Sequence, residues 1–83
     1  MFVIPSCKVR ISQAIEIMKH LGMSIKEFAE DLGVAPITIQ GWLIRVEMDH
    51  EGYINRHDLN TILISHMINL NAREAAKEQV HEH

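Results

Sequence analysis

The stretch from Ser24 to Leu43 combines a capped helix start, a glycine turn and a second helix start. Ser24 and Glu27 have the spacing of a capping box, in which a hydroxyl and a carboxylate satisfy free backbone amides. Gly33 follows the last apolar residue of this first segment and can adopt the left-handed conformation that ends a helix. Pro36 is a residue type favoured at the first position of a new helix. The sequence therefore predicts two short helices joined by a tight turn.

The apolar residues of this stretch fall where two crossing helices need a shared core. Ala29 is small where the second helix must approach, and Val34 lies at the corner. This register is typical of a DNA-binding helix-turn-helix, whose second helix enters the major groove. The alternative is a helical hairpin of a small α-domain that uses the same glycine turn. The inward-facing residues are Ile25, Phe28, Ala29 and Leu32 in the first helix and Ile39, Trp42 and Leu43 in the second.

In such a motif the outward face of the second helix contacts the bases. Gln40 can pair with adenine at N6 and N7, and Thr38 can contact a base or a phosphate. Ile37 can pack against a thymine methyl group or beneath the preceding helix. The predicted base-contacting residues are Ala35, Pro36, Ile37, Thr38, Gln40 and Gly41. The predicted phosphate-contacting residues are Lys26, Arg45 and Arg56.

Between residues 44 and 49 apolar and charged side chains alternate, which is the period of a half-buried β-strand. The following segment, Asp49-His50-Glu51-Gly52, contains turn-forming residue types, and Tyr53-Ile54 is a β-prone pair. The sequence therefore predicts a β-hairpin over residues 44–55. A hairpin directly after the second helix of the motif is a wing.

A further helix is predicted before the motif. Ser12 is a candidate cap for a helix that extends through Leu21 and stops at Gly22. The first seven residues contain Pro5, which prevents an earlier helix start. They are predicted to form a loose terminus or, with slight preference, a short edge strand.

After the hairpin, Asn55 and Asp58 mark the start of a closing helix whose apolar residues recur at intervals of three and four. The residues beyond it favour a helix and form either a separate or a kinked terminal segment. The predicted fold class is mainly α with a short β-hairpin, the winged helix-turn-helix. Residues 1–83 form one domain, with the motif at about 24–43, the wing at about 44–55, the closing helix at about 56–70 and a helical tail at 71–83.

The charge distribution bears on DNA binding, because a nucleic-acid-binding protein normally presents a basic surface to the phosphates. The chain carries a formal net charge of −3. Residues 1–45 contain five basic and four acidic side chains, whereas residues 46–83 contain three basic and seven acidic ones. The half that contains the motif is therefore not repelled by DNA, but one protomer should bind weakly. Several protomers acting together would raise the affinity.

Composition argues against several other classes of protein. The lone Cys7 excludes an intramolecular disulfide and fits a reducing cytoplasm, and no segment has the length of a signal peptide or a membrane span. Neither His50 with His57 nor His81 with His83 has the spacing of a metal site. No phosphate-binding loop or nucleophile elbow is present. We therefore expect a cytoplasmic protein without cofactor, metal or enzymatic activity.

With these elements in this order, the sequence resembles the small winged helix-turn-helix regulators of temperate phages, including excisionases and regulators of the Cox and Apl type. The likeness is centred on residues 24–59. It is carried by the segments 26–34 and 38–43, by Gly52-Tyr53-Ile54 and by Asp58-Leu59. The motif half is shared by a large number of regulators, whereas the hairpin and the short closing helix favour this group.

The resemblance implies a repressor that also binds beside an attachment site, bends the DNA and directs an integrase towards excision. Such proteins bind direct repeats as a row of homo-oligomeric protomers. The chain departs from the group at Glu47, Asp49 and Glu51, because wings that enter the minor groove usually carry Arg or Lys. An acidic tip would instead meet a basic patch on a neighbouring protomer. The alternatives are a Cro-like dimeric repressor and an anti-repressor that acts through protein contacts.

Overall fold

Four α-helices make up the architecture in the computed structural model, which describes the backbone of residues 1–81 and the side chains of residues 1–77. The helices are α1 (Ile11–Leu21), α2 (Ile25–Leu32), α3 (Pro36–Glu47) and α4 (His57–His81). Residues 82 and 83, the end of the predicted tail, lie outside the described residues, as do the side chains of His81 and His83. Across residues 1–81 the structure contains no β-strand.

Local sequence signals account for α2 and for the turn that follows it. Oγ of Ser24 accepts a hydrogen bond from the backbone N–H of Glu27 at 3.2 Å, and Oε1 of Glu27 accepts one from the N–H of Ser24 at 3.0 Å. The hydrogen bond from the Ser24 backbone N–H to the Glu27 carboxylate is the main cause that lowers the pKa of Glu27. Gly33 ends the helix with φ of 72°. The predicted capping box and glycine turn are confirmed.

The core lies where α2 and α3 pack together and α1 and α4 cover them. Phe28 and Ala29 of α2 and Ile39 of α3 are fully buried. On the α1 side the buried apolar residues are Ile11, Ala14, Ile15, Ile17 and Met18, and on α4 they are Leu59, Leu63, Met67 and Leu70. This arrangement fixes the inner face of α3 and leaves its opposite face free.

The predicted hairpin over residues 44–55 does not form, so the prediction of a winged fold is wrong. Residues 44–47 belong to the last turn of α3, and Met48 donates its N–H to the carbonyl of Ile44 at 3.0 Å. Asp49, at φ of 59°, then reverses the chain. Tyr53 does form a β-type bridge, but with Arg10 before α1. The β-prone residues pair with a distant segment, and the hairpin has no first strand.

The start of α1 also differs from the prediction, because its N-cap is Arg10 and not Ser12. Ser12 lies within the first turn, where helix amides lack partners in their own helix. The loop after α3 supplies those partners. The carbonyl of Gly52 accepts a hydrogen bond from the N–H of Ile11 at 2.9 Å. The carboxylate of Glu51 accepts one from the Ser12 hydroxyl at 2.8 Å and one from the Ser12 N–H at 3.4 Å. Glu51, predicted at an acidic wing tip, instead caps α1.

This carboxylate cap makes stability depend on pH. The hydrogen bond from the Ser12 hydroxyl is the main cause that lowers the pKa of Glu51 in the folded protein. Its stabilisation is therefore complete above the ordinary pKa of a glutamate and is lost as the pH falls through the lower folded value. We expect Glu51→Gln to lower the melting temperature at pH 7 by about 5 °C. At pH 3 the melting temperatures of the variant and the wild type should lie closer together. Thermal unfolding followed by circular dichroism between pH 7 and pH 3 measures this.

Glu47→Gln is the matched control, because it also removes one negative charge but lies on α3. It should leave the difference between pH 7 and pH 3 close to that of the wild type. A Glu51→Gln protein with wild-type stability at pH 7 would contradict the capping role.

The long helix α4 is fixed to the N-terminal segment by a buried asparagine that the sequence analysis did not single out. Asn60 is only 4 % exposed. Its Oδ1 accepts from the N–H of Val9 at 2.7 Å, and its Nδ2 donates to the carbonyls of Ile54 at 2.7 Å and Arg56 at 3.1 Å. One side chain therefore holds the segment before α1, the loop after α3 and the start of α4.

The predicted closing helix and tail form one continuous helix, in which residues 72–77 are exposed. The predicted edge strand at the N-terminus is absent. Phe2 is held instead by the side chain of Asn71, which accepts from the Phe2 N–H at 2.8 Å and donates to its carbonyl at 3.0 Å. The amide of a helix side chain thus substitutes for strand pairing.

Candidate nucleic-acid interface

The turn between α2 and α3 is built from residues 33–35 and sets where α3 begins. The N–H of Val34 donates to the carbonyl of Ala29 at 3.0 Å, which closes the end of α2. Ala35 is the N-cap of α3, and Pro36 follows at its first position, where no amide donor is needed. The carbonyl of Ala35 accepts from the N–H of Thr38 at 3.0 Å. The turn therefore presents the first turn of α3 at the surface.

The predicted base-contacting residues all lie in the first two turns of α3 or at its N-cap. Ala35, Pro36, Ile37 and Gln40 are exposed, and Thr38 and Gly41 are half-buried. Ile37 is 73 % exposed, which excludes the interpretation that it packs beneath α2. The structure thus brings these six residues together at one accessible surface. Whether they contact bases stays a prediction.

The inner face of α3 is anchored as predicted. Ile39 is fully buried, while Trp42 and Leu43 are half-buried and pack against the core. Because these residues hold one side of the helix, the opposite side is directed away from the protein.

The exposed face of α3 has an apolar centre, which we call the α3 stripe and define as Ile37, Gly41, Ile44 and Met48. These positions recur at i, i+4, i+7 and i+11, so they lie along one line of the helix. Ile44 is 55 % exposed and Met48 is 60 % exposed. On a helical projection Gln40 flanks the stripe on one side, and Thr38 and Arg45 flank it on the other. The polar candidates for base contact therefore border an apolar centre.

Ile44 and Met48 were not among the predicted base-contacting residues, because residues 44–55 were assigned to the hairpin. Over so short a segment, their alternation with Val46 fits both the two-residue period of a strand and the 3.6-residue period of a helix. The spacing from Ile37 through Gly41 to Ile44 was the signal that could have found the longer helix.

Gly41 has no evident role in the packing of the fold. Outside its own helix backbone, no described atom lies within 4 Å of the place where a Cβ would be. Glycine costs a helix interior about 1 kcal/mol relative to alanine. The packing of the fold therefore does not require a glycine at this position.

Two of the three predicted phosphate-contacting residues are accessible, Lys26 on α2 and Arg45 on α3. Lys26 and Arg45 are exposed, and within the described part of the chain neither takes part in an ion pair. The guanidinium of Arg45 lies over the loop, because a Cβ on Gly52 would come within 2.6 Å of its Nη2. Gly52 thus leaves space for this arginine beside α3.

Arg56 is less available to a phosphate than the sequence suggested. Its guanidinium donates two hydrogen bonds to the carboxylate of Asp58, at 2.6 Å and 3.2 Å. The bonds from Arg56 are the main cause that lowers the pKa of Asp58. A phosphate would compete with this carboxylate for the guanidinium.

Several acidic side chains near the motif are engaged within the protein. Glu27 accepts the capping hydrogen bond from Ser24, and Glu51 caps α1. Asp31, at the end of α2, lies 2.7 Å from Nε2 of His66 on α4. The contact between Asp31 and His66 also ties α2 to α4.

Comparison of the chain with protein-family models, with curated proteins and with solved structures found no match. The resemblance to phage regulators therefore stays a prediction. None of the helices within the described residues is long and apolar enough to cross a membrane. Over the same residues, no group of three or more His, Cys, Asp or Glu side chains is placed to hold a metal ion.

Proposed function

We propose that this protein binds double-stranded DNA sequence-specifically and regulates transcription. The observation that carries the proposal is the exposed face of α3, which a three-residue turn presents beside α2 while Ile39 anchors the inner face in the core. In helix-turn-helix proteins the helix in this position enters the major groove. An α-helix with its side chains is about 10–12 Å across and fits a groove about 12 Å wide.

The composition of α3 favours specificity over affinity. From Pro36 to Ile44 the helix carries no charged side chain, so this face offers the DNA one amide, one hydroxyl and apolar groups. Phosphate binding falls to Lys26 and Arg45. Two phosphate contacts per protomer correspond to a slope of about −2 in a plot of log K against log salt concentration. Binding of several protomers to neighbouring sites would compensate for this weak electrostatic attraction.

The narrower predictions rest on the resemblance alone. A phage source, a repressor role and a partnership with an integrase stay predictions. The hairpin that favoured excisionases over Cro-like repressors is absent, so the structure gives no reason to prefer the recombination role. The length of DNA protected in a footprint separates the two, because a dimer covers one palindrome and a row of protomers covers several repeats.

Selection from a library of random-sequence duplexes tests the proposed function directly. We expect the full chain, at low salt, to enrich a common sequence within a few rounds and to shift a 20-base-pair duplex that carries it. A scrambled duplex of equal composition is the control for non-specific binding. If protein that is folded by circular dichroism retains no duplex even at low salt, the proposed function is wrong.

A further inference from the structure

The α3 stripe constrains which bases this face can recognise. Recognition of guanine through its O6 and N7 relies on Arg or Lys, which supply two donors or a charged amine. The first nine residues of α3, Pro36–Ile44, contain neither, and the guanidinium of the next residue, Arg45, lies over Gly52. The large apolar side chains that this segment exposes are Ile37 and Ile44, at 73 % and 55 %. In the major groove the matching apolar group is the C5-methyl of thymine.

The dimensions of the stripe match a short run of base pairs. Ile37 and Ile44 are seven residues apart, which is about 10 Å along a helix axis. Successive base pairs are about 3.4 Å apart, so the two side chains can lie against bases about three steps apart. Gln40 lies between them in the sequence and borders the stripe, in reach of an adenine in the same run.

Gly41 is a second, independent feature that favours contact between this face of α3 and base edges. It lies in the stripe between the two isoleucines, and the fold leaves open space where its side chain would be. A side chain there would hold the helix away from the floor of the groove. Its absence lets base edges approach the helix backbone between Ile37 and Ile44.

We propose that the protein recognises thymine methyl groups, an inference that rests on the proposed function. Ile37 and Ile44 each pack against the methyl group of a thymine, and Gln40 pairs with an adenine between them. The preferred DNA is thus an A·T-rich half-site in which the methyl groups, and not hydrogen bonds alone, supply the discrimination.

A second copy of the chain could also cover the stripe, but the small area of the stripe argues against such an interface. A stable protein interface buries about 800 Å² on each partner around an apolar centre. The stripe is one helix line wide, and Gln40 and Arg45 border it directly. A narrow apolar line between hydrogen-bonding side chains suits the edges of base pairs better than a broad protein surface.

The test replaces thymine by deoxyuridine in the duplex selected from the random library, because this removes the methyl group and leaves base pairing intact. Burying one methyl group favours binding about fourfold, so we expect about fourfold weaker binding for each contacted thymine and about fifteenfold for two. The Ile37→Ala variant should bind with equal affinity whether one of the two contacted positions carries thymine or deoxyuridine. The Ile44→Ala variant should show the same equality at the other contacted position. Ile68→Ala, at an exposed isoleucine of α4, should keep the wild-type discrimination.

Each outcome bears on one claim. Equal affinity of the wild type for thymine and deoxyuridine duplexes overturns methyl recognition, while specific binding itself still supports the proposed function. Failure to select any duplex overturns the proposed function. If Ile37→Ala leaves the discrimination unchanged but lowers the mass of the free protein in size-exclusion chromatography with light scattering, the stripe packs against a second copy and methyl recognition is wrong.

Discussion

Asn60→Leu is expected to destabilise the protein by about 3 kcal/mol, because it leaves two buried backbone groups without partners. The N–H of Val9 loses the acceptor that lies 2.7 Å away, and the carbonyl of Ile54 loses its side-chain donor at the same distance. Each unsatisfied buried group costs about 1–3 kcal/mol, and leucine can replace the volume of the side chain but none of its hydrogen bonds. For a domain of this size the melting temperature should fall by about 15 °C.

Urea unfolding and thermal melting followed by circular dichroism measure this change. Asn69→Leu is the control, because it places the same substitution on the exposed side of α4. It should change the free energy of unfolding by less than about 0.5 kcal/mol. If Asn60→Leu unfolds at the same urea concentration as the wild type, the asparagine does not hold the three segments together.

The double variant Gln40→Ala, Arg45→Ala is expected to bind the selected duplex about 100-fold more weakly than the wild type. A bidentate contact between Gln40 and adenine contributes about 1–3 kcal/mol, and loss of a phosphate contact by Arg45 adds to it. Both side chains are exposed, so the melting temperature should stay within a few degrees of the wild type.

The two single variants separate the roles in this prediction. Gln40→Ala should relax the preference at one base pair, whereas Arg45→Ala should weaken binding to all sequences and make the salt slope shallower by about 1. Arg73→Ala, at an exposed arginine of α4, is the control for loss of positive charge. Wild-type affinity of the double variant in a gel-shift titration would contradict the placement of the DNA on α3.

The α2–turn–α3 unit could be predicted from sequence because its signals are local. The capping box joins Ser24 and Glu27, which are three residues apart. Gly33 ends α2 and Pro36 begins α3 through their own backbone conformations. The predicted inward residues were found for the same reason, since a period of 3.6 directly reports one face of a helix. The six base-contact candidates follow from this register, and their common accessible surface could therefore be predicted.

The connection after α3 could not be predicted, because its partners are distant in sequence. Alternation over residues 44–49 fits a strand, but a strand needs a neighbour, and Tyr53 finds Arg10 instead. Whether Ile44 continues a helix or begins a strand is thus decided by tertiary pairing. The prediction of a winged fold failed at this point.

Glu51 and Asn60 show the same limitation for polar residues. Both are of types common on surfaces, and nothing in the local sequence distinguishes a cap of another helix or a buried amide from a solvated side chain. Their partners lie 39 and 51 residues away. The candidate site lacked its far end, Ile44 and Met48, for a different reason, since both were assigned to the wing.

The capping of α1 by the later loop has a consequence for synthesis of the chain. Ser12 leaves the ribosome 39 residues before Glu51, its hydrogen-bond partner. At about 10 residues per second this is a delay of about four seconds. During that interval the first turn of α1 remains uncapped, and the apolar side of that helix lacks α4. A nascent chain arrested before Glu51 should therefore be more sensitive to protease at α1 than the released protein.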